Sequence, residues 1–328
     1  MALIYPSKYM STSHEYPLHL HGWLRIHKDG RCERFIGTDI VLAGTDPLTG
    51  VQSKDVVFSQ EHNIIVRIYI PNTIVPTRKL PTLIYYHGGG FITETAVSPT
   101  YHPTLNIITK ESDVVVVSVN YRLGPEYPIP IAYEDSWEAI KWVAAHVNGN
   151  GPEPWLNNHA DLHNVFFAGD SAGGNISHNM AIRVGLNPIE DINLKGVIML
   201  HPWFGGNDPI PDEKKWPEYK AFQDQVWKLA SRSRVGLDDP LYNPDMDPSI
   251  SRFGCSRILL CVGEKDKLRG RGLYYKKVME KSGWKGKIQV MENKGEGRVF
   301  FLFNTPSENS RVLRNKICLF INPILSKA

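Results

Sequence analysis

Cysteine is scarce in this chain, with only Cys32, Cys255, Cys261 and Cys318 among 328 residues. No pair of them has metal-ligand spacing, and four in so long a chain do not make a disulfide framework. A reduced, cytoplasmic protein without metal or other cofactor is therefore expected. Long apolar runs are missing too. Nothing approaches the roughly 20 residues of a membrane-crossing helix, and the opening Met1-Ala-Leu-Ile-Tyr-Pro-Ser-Lys8 has no sustained apolar run after a basic start. Neither a secretory signal nor a membrane partner is expected. Nor does charge of one sign dominate. The net charge is +3 with both signs interspersed, which leaves no basic stripe for nucleic acid. A small apolar molecule is the expected partner, and the protein itself is expected as a monomer or homodimer.

What is present centres on Val165-Phe-Phe-Ala-Gly-Asp-Ser-Ala-Gly-Gly-Asn175. A short apolar run feeds a turn of small residues, and Ile176, Met180 and Val184 then recur at helical spacing. In the context strand, turn, helix, the pattern G-x-S-x-G places a serine hydroxyl at the tip of a strained turn. Gly169 and Gly173 keep bulk away from it, and the Ala172 amide at the helix start is aimed at a developing oxyanion. A glycine-rich turn with an incidental serine would carry the same five letters, so the surroundings decide. Upstream, Leu80-Pro-Thr-Leu-Ile-Tyr-Tyr-His-Gly-Gly-Gly-Phe91 is a second apolar strand ending in glycines. Such a loop lets the main chain approach a tetrahedral intermediate and supplies further oxyanion donors, here Gly88 and Gly89. His87 is taken as a residue that shapes the loop.

Apolar runs at 83–86, 114–119, 165–168, 197–200, 258–262 and 288–291 alternate with amphipathic segments at 132–147 and 269–282. That alternation predicts an α/β fold whose central, mostly parallel sheet is flanked by helices. Residues 24–36 alternate around Asp29-Gly30, a hairpin signal, and 63–70 predict another strand. Residues 1–22 are expected as an irregular arm, either a cap or a tail, and 23–328 as one domain. Within that domain, about 203–243 breaks into prolines, charges and aromatics and is expected as a cap insertion. Trp216, Tyr219, Phe222 and Trp227 there either roof an apolar pocket or pack the cap onto the core.

The chain resembles the plant class-I carboxylesterases, in the hormone-sensitive-lipase branch of the α/β hydrolases. Carrying the resemblance, besides the two glycine motifs, are Asp46-Pro-Leu-Thr-Gly50, Tyr121-Arg-Leu-Gly-Pro-Glu126, Asp238-Asp-Pro-Leu241 and Gly263-Glu-Lys-Asp266. It implies an α/β-hydrolase fold, Ser171 as nucleophile and Asp266 as the acid of a triad. At the histidine position of that triad stands Arg298, in Gly295-Glu-Gly-Arg-Val-Phe-Phe-Leu-Phe303, and no histidine follows His201. A guanidinium stays protonated and offers no acceptor, so it cannot take the serine proton. His201, at a strand end near the elbow, and Glu296 are the substitute bases to weigh. A carboxylate of ordinary pKa is poorly matched to a serine hydroxyl.

Three functions fit. One is a carboxylesterase with weak or altered hydrolysis of a small apolar ester. Another is a non-hydrolytic cyclase, dehydratase or lyase of plant specialised metabolism, since the family includes 2-hydroxyisoflavanone dehydratases and alkaloid cyclases. The third is a non-catalytic receptor of the gibberellin type. Against that last possibility, the arm does not resemble the receptor lid, and Arg298 is charged where receptors carry an aliphatic residue.

Overall fold

The computed structural model describes residues 10–11, 18–20, 22–75, 78–190 and 192–323. The first described elements form a small antiparallel sheet of β1 (Met10–Ser11), β2 (Leu18–Leu20), β3 (Leu24–Ile26) and β4 (Cys32–Arg34), in that order. The expected hairpin is its β3–β4 half, turned at Gly30 with φ of 83°. Because β2 pairs with β3, a boundary at residue 22 would divide one sheet. Where it is described the arm is strand at 10–11 and 18–20 with a turn at Gly22, and the rest of that expectation lies outside the described residues.

The main sheet comprises β5 (Gln52–Ser59), β6 (Ile64–Ile70), β7 (Leu80–Tyr86), β8 (Val115–Val119), β9 (Ala160–Asp170), β10 (Leu194–Leu200), β11 (Arg257–Gly263) and β12 (Lys287–Asn293). Its order is β12-β11-β10-β9-β7-β8-β6-β5. Only β6 runs against the others, pairing antiparallel with both β5 and β8. Strands buried on both faces read as nearly continuous apolar runs, as in the fully buried Val115–Val119, where Ser118 is the one polar residue.

The helices are α1 (His102–Ser112), α2 (Ile131–Ala144), α3 (Pro154–His159), α4 (Ala172–Leu186), α5 (Pro217–Ala230), α6 (Arg269–Lys281), α7 (Phe300–Phe303) and α8 (Glu308–Ile321). Leu83 and Tyr85 of β7 share a core with Leu105 and Ile108 of α1 and with Leu313 and Ile317 of α8. The alternate residues Ile84 and Tyr86 face the core that includes Ile140 of α2 and Ile176 and Met180 of α4. Successive strand residues thus feed two helical layers. Each such buried aliphatic side chain contributes roughly 1.5 to 3 kcal/mol.

From β7 the chain crosses through α1 to β8 on one side, whereas β9 lies on the other side of β7. This reversal of strand order leaves a crevice beyond the carboxyl ends of β7 and β9, where open α/β sheets bind ligands. His87-Gly88-Gly89 and Ser171 follow those two strands directly. The 203–243 segment is an irregular loop around one helix, α5. Its Trp227 packs on Trp203, Tyr242 and Phe91 at ring separations of 6.3, 4.5 and 6.0 Å. Among the described residues, no helix is long and apolar enough to cross a membrane.

Candidate active site

Ser171 has φ 53° and ψ −117°, a strained backbone that lifts its side chain off the end of β9. The turn is possible because the residues two positions to either side, Gly169 and Gly173, lack side chains. A Cβ on Gly173 would lie 1.9 Å from the Tyr86 carbonyl oxygen, and one on Gly169 would lie 2.3 Å from the backbone of Gly173. Ser171 itself is pinned by its amide donating to Leu200 O at 3.0 Å and its carbonyl accepting from Trp203 N at 2.9 Å.

Arg298 reaches the serine directly. Its Nη2 donates to Ser171 Oγ at 2.6 Å and its Nη1 to Asp266 Oδ2 at 3.1 Å. The guanidinium therefore lies between the two oxygens, with its side chain 13% exposed and that of Asp266 2%. Burial raises the Asp266 pKa, but the adjacent Arg298 charge and the His201 hydrogen bond outweigh it, and the carboxyl is held below its ordinary value.

His201 Nδ1 is 3.2 Å from Asp266 Oδ2 and 3.3 Å from the Val299 amide nitrogen. A single ring nitrogen cannot donate to one and accept from the other. The charged carboxylate is the stronger partner and puts the proton on Nδ1. The other ring nitrogen is buried without a partner. Among the described residues, no imidazole hydrogen-bonds to Ser171 Oγ. Glu296 turns away, accepting from Asn309 Nδ2 at 2.6 Å.

The glycine loop departs from expectation at one position. Gly88 N donates to Tyr101 Oη at 2.7 Å, so this amide is occupied and is no free oxyanion donor. The Gly89 and Ala172 amides hydrogen-bond to no described residue, and Gly89, at φ 95°, borders the cavity above Ser171. Tyr101 Oη in turn donates to Asp170 Oδ2 at 3.1 Å, and Tyr85 Oη donates to Asp170 Oδ1 at 2.9 Å. Full burial pushes the Asp170 carboxyl up to about 7, although both tyrosines and the Arg298 charge act the other way. His87 shapes the loop, as expected. It stacks on Tyr121 at 4.2 Å, and burial lowers its pKa to about 4, keeping the ring neutral.

The cavity above Ser171 holds about 310 Å³. Its apolar walls come from Trp23 and Phe35, which flank β3 and β4 of the small sheet, and from Leu302 and Phe303 after Arg298. None of the aromatics at 216, 219, 222 and 227 lines it. Phe222 instead buttresses Trp23 at 5.7 Å between ring centroids; Tyr219, Phe222 and Trp227 pack into the core, whereas Trp216 is 49% exposed and does neither. Arg34 ties the small sheet down, its Nε donating to Ile92 O at 2.6 Å and its Nη1 to Glu126 Oε1 at 2.7 Å. Sequence reasoning missed Trp23, Phe35, Tyr101 and Asp170. Only Asp170 left a signal, as the residue before the serine.

Residues 83–302 match the family described as the alpha/beta hydrolase fold. The chain is 42% identical to probable carboxylesterase 2 of Arabidopsis thaliana over 96% of this chain and 99% of that protein. It is 40% identical to a 2-hydroxyisoflavanone dehydratase of Glycyrrhiza echinata over 95% of this chain and 98% of the relative. Among solved structures, an esterase of the archaeon Pyrobaculum calidifontis superposes with a TM-score of 0.67 at 25% identity, covering 84% of this chain and 86% of the esterase.

Proposed function

The chain belongs to the α/β hydrolase family, among relatives of the plant carboxylesterases, and on that premise we propose that it binds a small apolar carbonyl compound without hydrolysing it efficiently. The carbonyl oxygen sits against the Gly89 and Ala172 amides, and the apolar remainder fills the cavity under Trp23 and Phe35. One observation carries the proposal, the donation of Arg298 Nη2 to Ser171 Oγ at 2.6 Å. Ser171 Oγ accepts from a permanent cation and donates to no described residue, so it serves as a hydrogen-bond donor toward the ligand. Losing a triad member lowers kcat by about 10⁴ to 10⁶, while an oxyanion hole and binding retain about 10³ to 10⁴ over water.

The same contact favours a non-hydrolytic reaction as the second reading, because a fixed cation and an amide cradle stabilise enolate-like charge without an acyl-enzyme. The relative named as a dehydratase supports this for a chain of the same length and fold. Hydrolysis of 4-nitrophenyl acetate tests the proposal. Wild-type turnover is expected to change less than tenfold in Ser171→Ala. A stoichiometric burst of nitrophenolate that disappears in that variant would mean that Ser171 acylates, and the proposal would fail.

A further inference from the structure

Glu94 is a carboxylate that the serine site leaves unused. It borders the catalytic cavity and a neighbouring one of about 570 Å³, which shares Gly37, Thr38 and Glu94 with it. The residue is 9% exposed. Its Oε2 accepts from Ser98 Oγ at 2.8 Å and its Oε1 from Thr100 Oγ1 at 3.2 Å. Thr100 also lines the catalytic cavity. Among the described residues, no cation pairs with Glu94.

Its placement is built rather than incidental. Ile92 N and Thr93 N both donate to Gly89 O, at 3.1 and 3.0 Å, so the turn that orients the Gly89 amide also delivers Glu94. Glu94 has φ 71°, a conformation that a side-chain-bearing residue rarely holds without support. The support comes from Gly37, where a Cβ would lie 2.2 Å from Glu94 Cα. Burial raises the carboxyl pKa, which the two hydroxyl groups oppose, and a raised value makes a better base.

Resting on the function proposed above, we infer that Glu94 is the proton acceptor of this site and that the ligand carries an acidic hydrogen beside its carbonyl. The C–H bond breaks and the proton passes to Glu94. The electron pair enters a carbon–carbon double bond, and the carbonyl π pair moves to the oxygen held by the Gly89 and Ala172 amides. Return of the proton to carbon exchanges or inverts the α-position, and its delivery to oxygen yields the enol tautomer. Where the β-carbon carries a hydroxyl or acyloxy group, collapse of the enolate expels it, re-forms the carbonyl, and Glu94 gives its proton to the departing oxygen. The substrate class is therefore a ketone or ester with an enolisable α-carbon.

The test uses 4-chromanone, an aryl ketone with an enolisable methylene. Binding is followed by tryptophan fluorescence, with Trp23→Phe as the control for signal from the cavity, and exchange of the methylene hydrogens in D₂O by proton NMR. Wild-type protein is expected to accelerate exchange at least tenfold over buffer. Glu94→Gln should lose that acceleration while still binding, and Glu94→Asp, the fallback if the amide variant fails to fold, should fall between. Saturable binding without exchange, or exchange unchanged in Glu94→Gln and Glu94→Asp, overturns the role of Glu94 alone. Absence of saturable binding removes carbonyl binding itself, and the Glu94 role with it.

Discussion

Arg298→His would place an acceptor beside Ser171 Oγ, where the guanidinium offers only donors. In the wild-type site the guanidinium spans Ser171 Oγ and Asp266 Oδ2 at 2.6 and 3.1 Å. An imidazole spanning the same oxygens would take the serine proton on one nitrogen and donate to the aspartate with the other. A complete restoration is worth the about 10⁴ to 10⁶ lost with a triad member. Histidine is shorter than arginine, however, and must reach from the same backbone, so the expected gain in 4-nitrophenyl acetate kcat/KM is about 10² to 10⁴. At 1.36 kcal/mol per factor of ten, this lowers the barrier by about 3 to 5 kcal/mol. The gain should vanish in Arg298→His/Ser171→Ala and should rise with pH through the histidine range near 6.5. Arg298→Met, whose thioether cannot take a proton at working pH, is the control and should stay at the wild-type level. A folded Arg298→His protein that hydrolyses no faster than its Ser171→Ala counterpart would refute the reasoning, because Ser171 or Asp266 would then be misplaced as well.

Asp170 makes stability depend on pH in an unusual direction. Burial pushes its folded pKa up to about 7, against about 3.9 for an unfolded chain. Between those values the folded protein holds a proton that the unfolded chain has released, so this contribution falls as pH rises across the window. The loss is on the order of 4 kcal/mol at most. Urea unfolding at pH 4.5 and 8 should show it as a difference between wild type and Asp170→Asn, and equal slopes in the two proteins would contradict the assignment. Tyr101→Phe removes the hydroxyl that joins the Gly88 amide to Asp170, leaving two buried polar groups unpaired at about 1 to 3 kcal/mol each. Denaturant titration should register that loss, and in an Arg298→His background kcat should drop more than KM rises, since the oxyanion loop is freed while the cavity walls remain. Gly173→Ala drives a Cβ to 1.9 Å from the Tyr86 carbonyl and should give little folded protein by gel filtration and circular dichroism.

How far the site was legible depends on whether each determinant is local. The turn at Ser171 and the glycine loop were readable because strand, turn and helix are written in a dozen consecutive residues, and the steric demand on Gly173 is set by the strand just before the glycine loop. The free amides were not readable. Gly88 and Gly89 look alike in sequence, and what separates them is a hydroxyl thirteen positions on, at Tyr101, which takes the first and leaves the second. The roof was misplaced for a related reason. Aromatic content marks 203–243 as a segment that must bury something, but not which surface it covers. Trp227 met the core while Trp23 and Phe35 closed the cavity. Arg298 is the instructive case, for its chemistry was plain from its side chain whereas its tolerance was not. Asp266 is buried and its carboxylate needs a donor and a counter-charge. His201 and the Leu268 amide each supply one hydrogen bond, and Arg298 supplies both a third and the charge. An arginine at this position thus pairs with the buried acid and hydrogen-bonds the serine while offering no proton acceptor of its own, and on the function proposed above it is Glu94 that supplies one.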